Sequence, residues 1–161
     1  MNADEIARSI SPQDVDAAAF QAGRLMLERM RGLVRSGTSF AFESTLSGRS
    51  YLRLLKDWKA EGWQITLFYL WLPTPEHSLG RVAQRVRMGG HGIPEDTIRR
   101  RYLAGLRNAV ELYLPLADSA RIYDNESRKQ RLVMEKDLSG RLVIHDRRVW
   151  EKIQEQCHEE S

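Results

Sequence analysis

The segment 39–49 holds the residue types in this chain that are best suited to chemistry. A short aromatic run ends in the carboxylate of Glu43, and hydroxyl residues, a glycine and Arg49 follow at once. This order predicts a buried strand over 39–43 that delivers Glu43 and Thr45 to the carboxyl edge of a sheet, where α/β proteins bind their ligands. Arg49 then lies where its guanidinium can hold an anion, so the segment points to phosphate chemistry.

A second concentration of chemistry lies between residues 81 and 101. The segment contains six arginines, two acidic residues and no lysine: Arg81, Arg85, Arg87, Arg99, Arg100 and Arg101 against Glu95 and Asp96. Arginine without lysine favours bidentate recognition of phosphate or carboxylate over a generic basic surface. Arg81 and Arg85 are four residues apart and share a helix face. His91 lies in a glycine-rich break, where it could contact phosphate or be an ordinary loop histidine.

The elements that must position these groups alternate along the chain. Ser11 as N-cap and Pro12 at the first helical position predict a helix that ends at Ser36-Gly37. The strand 39–43, a helix over about 49–61 and a long strand over 63–72, buried on both faces, follow. Two further helices, beginning at Pro75 and after Pro94, precede a short strand over 120–124. Strands over 131–136 and 141–146 then form a C-terminal hairpin around a turn at 137–140.

This order predicts an α/β fold with a mainly parallel sheet flanked by helices. The 161 residues suit one domain, and the net charge of +3 is too small to indicate a nucleic-acid partner. The single cysteine, Cys157, excludes an internal disulfide and a cysteine-based zinc site, so no metal centre is expected. No signal peptide or membrane-length apolar run is evident, and we therefore expect a cytoplasmic location without a membrane partner.

Five segments in order resemble the zeta-toxin-like P-loop kinases, a family that includes toxins that phosphorylate UDP-N-acetylglucosamine and relatives described as predicted ATPases. They are Asn2–Glu5, Phe40–Arg49, Arg81–His91, Arg99–Tyr102 and Tyr123–Asn125. The resemblance covers residues 1 to about 127. It implies an ATP- or GTP-dependent phosphotransferase that uses Mg²⁺ and acts on a small hydroxyl compound such as a nucleotide sugar. An antitoxin protein is a possible partner of such a kinase.

The resemblance also implies roles for individual residues. Asp4 matches the family's catalytic base, and Glu43 orients substrate or assists the metal. Thr45 and Arg49 match residues that contact substrate, while Arg81, Arg85 and Arg101 match arginines that neutralise phosphate charge. Asp124 and Asn125 correspond to a position near the nucleotide base. The helical stripe itself places Arg99 nearest its apolar edge and Arg100 opposite it, so the family pattern and the geometry disagree about the important arginine.

Each assignment has a simpler alternative. Asp4 could be an exposed residue at a helix start, Glu43 an N-cap or ion-pair residue, and Thr45 or Ser47 a plain helix cap. Arg81 and Arg85 could form a solvated helix face. Asp124 and Asn125 could form a turn, and this is the interpretation that the residue types favour.

The chain departs from the family pattern at its start. It contains no Gly-x-x-x-x-Gly-Lys phosphate loop, and it begins at the segment that follows that loop in the family. We expect either that the natural protein continues further at its N-terminus or that the chain is a non-catalytic remnant that binds substrate or regulates a partner, and we favour the first. In both cases the 161-residue kinase-like domain, truncated at its N-terminus, is predicted to be inactive.

Overall fold

The computed structural model describes residues 1–90, 92–127 and 129–158, and of Asp16 it describes the backbone alone. His91 therefore lies outside the described residues, and its predicted role stays a prediction. The chain divides into two compact units, Met1–Ser44 and Thr45–Ser161. No helix among the described residues is long and apolar enough to cross a membrane.

The first unit is a helical hairpin of α1 (Ala3–Ile10) and α2 (Val15–Arg35). Asn2 caps α1, and its side-chain oxygen accepts a hydrogen bond from the Asp4 N–H. Asp14, not Ser11, is the N-cap of α2, because its Oδ1 accepts from the Ala17 N–H at 3.0 Å. The predicted start at Pro12 was therefore three residues too early. Buried residues recur at helical spacing along α2 at Ala18, Ala22, Met26 and Met30.

The strand predicted over 39–43 does not form. The backbone there is irregular, Glu43 is exposed, and the stretch forms backbone hydrogen bonds with Met1. The Met1 amino group donates to the Ala41 carbonyl oxygen, and the Glu43 N–H donates to the Met1 carbonyl oxygen. These contacts are not the repeated ladder of a β-sheet, and no residue from 39 to 43 is in a strand, so the predicted buried strand was wrong.

The second unit contains α3 (Ser50–Ala60), β1 (Thr66–Trp71), α4 (Pro75–Arg87) and α5 (Glu95–Asn108). A π-helical turn, Ala109–Tyr113, continues α5 into the short α6 (Leu114–Leu116). The strands β2 (Ser119–Asp124), β3 (Arg131–Lys136) and β4 (Leu142–Ile144) and the helix α7 (Arg147–His158) complete the unit.

The four strands form a mixed sheet in the order β1-β2-β3-β4, and this corrects the predicted fold class. Within the described residues β1 and β2 are the parallel pair, and the other two pairings are antiparallel. A parallel neighbour requires a crossover of a dozen or more residues, whereas the six residues between β2 and β3 allow only an antiparallel return. The mainly parallel, P-loop-like sheet was therefore wrong, although its C-terminal hairpin is present as β3 and β4.

The edge position of β1 overturns a second expectation. This strand was predicted to be buried on both faces, but Phe68 and Leu70 are 59% and 53% exposed. Its other face is covered: Trp71 belongs to a core cluster in which Leu106 of α5 and Ile153 of α7 are both fully buried. One face of the sheet therefore carries the core of this unit, and within the part of the chain that the structure describes β1 pairs with β2 alone.

Asp118 joins the end of α3 to the start of β2. Its Oδ1 accepts a hydrogen bond from Lys59 Nζ at 2.7 Å, and its Oδ2 accepts from the Ile65 N–H at 2.8 Å. The hydrogen bond from Lys59, followed by that from Ile65, holds the pKa of Asp118 below its usual value. The ionised carboxylate thus fixes the connection that leads into the sheet.

The free energy of unfolding of the second unit is expected to fall in acid partly because of Asp118. The pKa is lower in the folded state than the unfolded value of about 3.9, so the stabilisation is complete above that value and is lost as the pH falls through the folded pKa. Urea unfolding between pH 7 and pH 2 checks this. Asp118→Asn should flatten the acid limb, while Asp57→Asn, at an exposed carboxylate of α3, should leave it unchanged. An equal acid limb in Asp118→Asn and the parent would contradict the assignment.

Candidate functional site

The segment Thr45–Arg49, here called the hydroxyl loop, has an unusual backbone. Leu46 has a φ of 56°, and it is the only non-glycine residue with positive φ among those the structure describes. The left-handed conformation costs an ordinary residue roughly 1–2 kcal/mol. The side chain of Leu46 is buried, which offsets part of this cost. Backbone strain of this kind persists where the surrounding structure enforces it, and such positions cluster at ligand sites.

Three features of the helix opposite hold the hydroxyl loop in place. Gly105 of α5 packs directly against it, and a Cβ atom there would lie less than 3.0 Å from the Thr45 carbonyl oxygen. The buried Asn108 side chain donates to the Leu46 carbonyl oxygen at 2.7 Å. The Tyr113 hydroxyl donates to the Gly48 carbonyl oxygen at 3.1 Å. Burial raises the pKa of Tyr113, so this hydroxyl stays protonated and keeps its donor.

The functional groups of the hydroxyl loop face outward. The Thr45 and Ser47 hydroxyls lie 2.9 Å apart, and Thr45 is exposed. Arg49 is the N-cap residue of α3 and is exposed, but α3 has no side-chain cap and no acidic residue in its first turn. Neither Thr45 nor Ser47 is therefore the plain helix cap that the sequence allowed. The arrangement instead offers two hydroxyls, a guanidinium and the positive end of a helix to an anion.

The three consecutive arginines of α5 have different surroundings. Arg99 donates to Glu76 Oε1 at 2.6 Å and to Glu95 Oε1 at 2.8 Å, so it links α5 to α4. The hydrogen bond from Arg99 lowers the pKa of Glu76 to about 2. Arg99 therefore holds α5 against α4, and this contact explains its position at the edge of the apolar stripe.

Arg101 lies on the face of α5 that meets the hydroxyl loop. It precedes Gly105 by four residues and Asn108 by seven, and both spacings place residues on one side of an α-helix. Arg101 is exposed, and the described part of the chain provides no hydrogen-bond or ion-pair partner for its guanidinium. Arg100 is also exposed but lies about 100° around the helix from Arg101. Of the three, Arg101 is therefore the exposed arginine on the helix face that carries Gly105 and Asn108.

A separate open cleft of about 730 Å³ is lined by residues of α4 and by the residues that follow β2. Its lining residues are Glu76, His77, Gly80, Arg81, Gln84, Glu126 and Ser127. Arg81 donates to the Asn125 carbonyl oxygen and so connects α4 to the end of β2, whereas Arg85 is exposed. His77 contacts Thr74 and lies 3.4 Å from Glu126. No sequence pattern selects His77, because it has no neighbouring ligand-type residue at regular spacing.

Asp124 and Asn125 have the structural roles of a strand end. Asp124 is buried, forms an ion pair with Arg131 and accepts a hydrogen bond from the Glu126 N–H at 3.0 Å. The Asn125 N–H donates to the Trp71 carbonyl oxygen at 2.9 Å. The side chain of Asp124 thus forms the turn that the residue types favoured. A contact of either residue with a nucleotide stays a prediction.

The two acidic candidates, Asp4 and Glu43, come together in the first unit through Asn2. The Asn2 side chain accepts from the Asp4 N–H and donates from Nδ2 to Glu43 Oε2 at 2.8 Å. Both carboxylates are exposed. Glu43 therefore accepts a hydrogen bond from the residue that caps α1, and the catalytic roles of both residues stay predictions.

The residues present do not match the Mg²⁺-nucleotide that the family resemblance implies. Residues 1–90, 92–127 and 129–158 contain no cluster of three or more histidine, cysteine or acidic side chains that could hold a metal ion. The sequence also lacks the Gly-x-x-x-x-Gly-Lys loop whose amides and lysine hold nucleotide phosphates. No step is assigned through ATP, GTP or Mg²⁺.

Sequence reasoning did not single out the residues that hold the hydroxyl loop. Gly105 and Asn108 were available as signals, since a glycine and an asparagine inside a helical pattern each need a packing or functional reason. Tyr113 was assigned to the apolar stripe. Its hydroxyl contact depends on the π-helical turn, which the helical spacing of 3.6 residues per turn does not predict.

Comparison with known proteins gives one informative match. The chain is 35% identical over 102 residues to an "Uncharacterized protein" of Haemophilus influenzae (strain Rd), and the match covers 63% of this chain and 73% of that protein. No family model matches the chain, and no solved structure matches it. At this identity and coverage, the chain belongs to the same family as the Haemophilus influenzae protein.

Proposed function

We propose that this chain binds a small hydroxyl compound that carries phosphate, such as the nucleotide sugar UDP-N-acetylglucosamine, at the hydroxyl loop. The observation that carries the proposal is the left-handed conformation of Leu46. The carbonyl oxygens of Leu46 and Gly48 accept hydrogen bonds from side chains of one helix, while the adjacent hydroxyls face outward. A strained loop with three separate supports is more than a simple connection needs, and it suits a preorganised binding surface.

The chemistry of the loop matches the two parts of such a ligand. Arg49 and Arg101 supply guanidinium groups that pair with phosphate oxygens, and the N-terminus of α3 adds the dipole of an uncapped helix. The Thr45 and Ser47 hydroxyls can both donate to and accept from sugar hydroxyl groups. Both kinds of group lie within the second unit.

The resemblance to zeta-toxin-like kinases makes this ligand the phosphoryl acceptor of a phosphotransferase, with ATP or GTP as donor. Ligand binding at the hydroxyl loop does not depend on kinase activity, because no residue of a phosphate loop takes part in it. The chain is thus proposed as the acceptor-binding part of such a kinase, and a regulatory role beside an antitoxin protein would use the same loop.

Removing either guanidinium should weaken binding of UDP-N-acetylglucosamine by about 10- to 100-fold, since a hydrogen bond to a charged group contributes about 1.5–3 kcal/mol. Isothermal titration calorimetry of Arg49→Ala and Arg101→Ala against the parent chain measures this. Arg100→Ala is the matched control, because Arg100 is exposed on another side of the same helix. It should bind within about twofold of the parent.

Two results would reject the proposal. The first is no heat or saturation with the parent chain at millimolar UDP-N-acetylglucosamine. The second is an equal loss in all three variants, which would show a general charge effect instead of a defined site. Repeating the titration at higher salt distinguishes a defined site from a general charge effect, because a general charge effect disappears with screening.

A further inference from the structure

The π-helical turn Ala109–Tyr113 explains how one helix supports the hydroxyl loop at two points. Two carbonyl oxygens of the loop, those of Leu46 and Gly48, accept hydrogen bonds from side chains five residues apart, Asn108 and Tyr113. In an α-helix of 3.6 residues per turn, residues five apart point about 140° away from each other. Two such side chains would not reach the same short loop.

The π turn removes this difficulty. The Leu114 N–H donates to the Ala109 carbonyl oxygen, which is the i to i+5 pattern of a π-helix. In that pattern residues five apart lie close to one full turn from each other. Asn108 precedes the turn and Tyr113 is its last residue. Both side chains are therefore brought to the same side of the helix and face the hydroxyl loop.

The residues that the turn presents are buried or nearly so. Asn108 is 5% exposed and Tyr113 is 3% exposed, while Glu111 within the turn is exposed. The described residues contain no buried side-chain polar atom without a hydrogen-bond partner. The loop carbonyls are thus the partners that satisfy these buried donors, and loss of either donor changes the loop directly.

We propose that the π turn is a positioning device for ligand binding, with Asn108 and Tyr113 as positioning residues that keep Leu46 in its left-handed conformation. This inference rests on the proposed ligand role of the hydroxyl loop. An inserted residue in a helix is unfavourable in itself, and such insertions are found frequently at functional sites. Here the insertion aligns two donors with the one loop that carries the exposed hydroxyls and Arg49.

Asn108→Ala tests the device, because it removes the side-chain amide that the π turn directs at the Leu46 carbonyl oxygen and leaves the chain length unchanged. Two readouts are taken on the full chain. The ¹³Cα and ¹³Cβ chemical shifts of Leu46 report its backbone conformation without any ligand, and titration calorimetry gives the affinity for UDP-N-acetylglucosamine. Asn108→Ala should remove the left-handed signature of Leu46 and weaken binding at least tenfold.

Tyr113→Phe is a milder variant that keeps the test decisive if Asn108→Ala does not fold. It removes only the hydroxyl, and it should shift the Gly48 resonances and weaken binding severalfold. Tyr123→Phe makes the same chemical change at a half-buried position of β2, away from the loop, and should change neither readout.

The two readouts separate the possible failures. If the parent chain does not bind UDP-N-acetylglucosamine but the variants alter the Leu46 and Gly48 shifts, the ligand proposal fails while the positioning of the loop holds. If the shifts are unchanged in folded Asn108→Ala and Tyr113→Phe proteins, the π turn does not position the loop and the inference is overturned. Equal weakening in Tyr123→Phe would also overturn it.

Discussion

Gly105→Ala is expected to destabilise the second unit by about 1–3 kcal/mol and to abolish ligand binding at the hydroxyl loop. The added Cβ would lie less than 3.0 Å from the Thr45 carbonyl oxygen, and this neighbour is backbone, which cannot rotate away as a flexible side chain could. Either the loop or α5 must move, and both movements break the contacts that hold Leu46. Urea unfolding followed by circular dichroism, together with titration of UDP-N-acetylglucosamine, measures the two effects.

Gly80→Ala is the matched control for the stability measurement. Gly80 is also inside a helix of the second unit, α4, but nothing lies within 4 Å of a Cβ added there. Because alanine is the better helix former, the control should stabilise the unit by about 0.5–1 kcal/mol. The close approach of Gly105 would be contradicted by a Gly105→Ala protein that is as stable as the parent.

Ile153→Ala should have the largest effect of any single substitution considered, a loss of about 2–5 kcal/mol in the free energy of unfolding. Ile153 is fully buried on α7 and belongs to the core cluster that covers one face of the sheet. Deleting most of its side chain leaves a cavity between α7 and β-strand residues such as Met134, which cannot close without moving the helix.

Gln154→Ala, one residue further along α7, is exposed and provides the control. Its effect should stay within about 0.5 kcal/mol. Chemical denaturation of both variants under the same conditions gives the comparison. Equal stabilities would mean that α7 does not pack on the sheet, and this would remove the basis for assigning the helix to the core.

Several elements could be predicted from sequence because their signals are local. The Thr74-Pro75-Glu76 start predicts α4, and the helix begins at Pro75. The turn at Asp137–Gly140 predicts the hairpin, and Gly140 has the positive φ of 84° that favours glycine. The helix α7 was missed, although Trp150, Ile153 and Cys157 have the spacing of a buried helical stripe and all three are buried.

The candidate site was less predictable than the elements. The residue types of Thr45, Arg49 and Arg101 indicated anion chemistry, but the sequence placed the first two after a strand that does not form. The supports at Gly105, Asn108 and Tyr113 lie about sixty residues further along the chain, and no local pattern connects them to the loop. The π turn that aligns two of them interrupts the very periodicity on which helix prediction depends.

The sequence by itself determined where helices and turns begin, which residues are apolar, and which residue types could meet a phosphate, because capping, helical spacing and side-chain chemistry act over a few residues. Only the tertiary structure decided that β3 returns antiparallel, that β1 lies at the sheet edge, and that Arg99 is paired while Arg101 is exposed. These outcomes depend on which distant segments meet. Strand pairing, burial and the conformation of Leu46 are set by those partners and not by the residue types of the segments themselves.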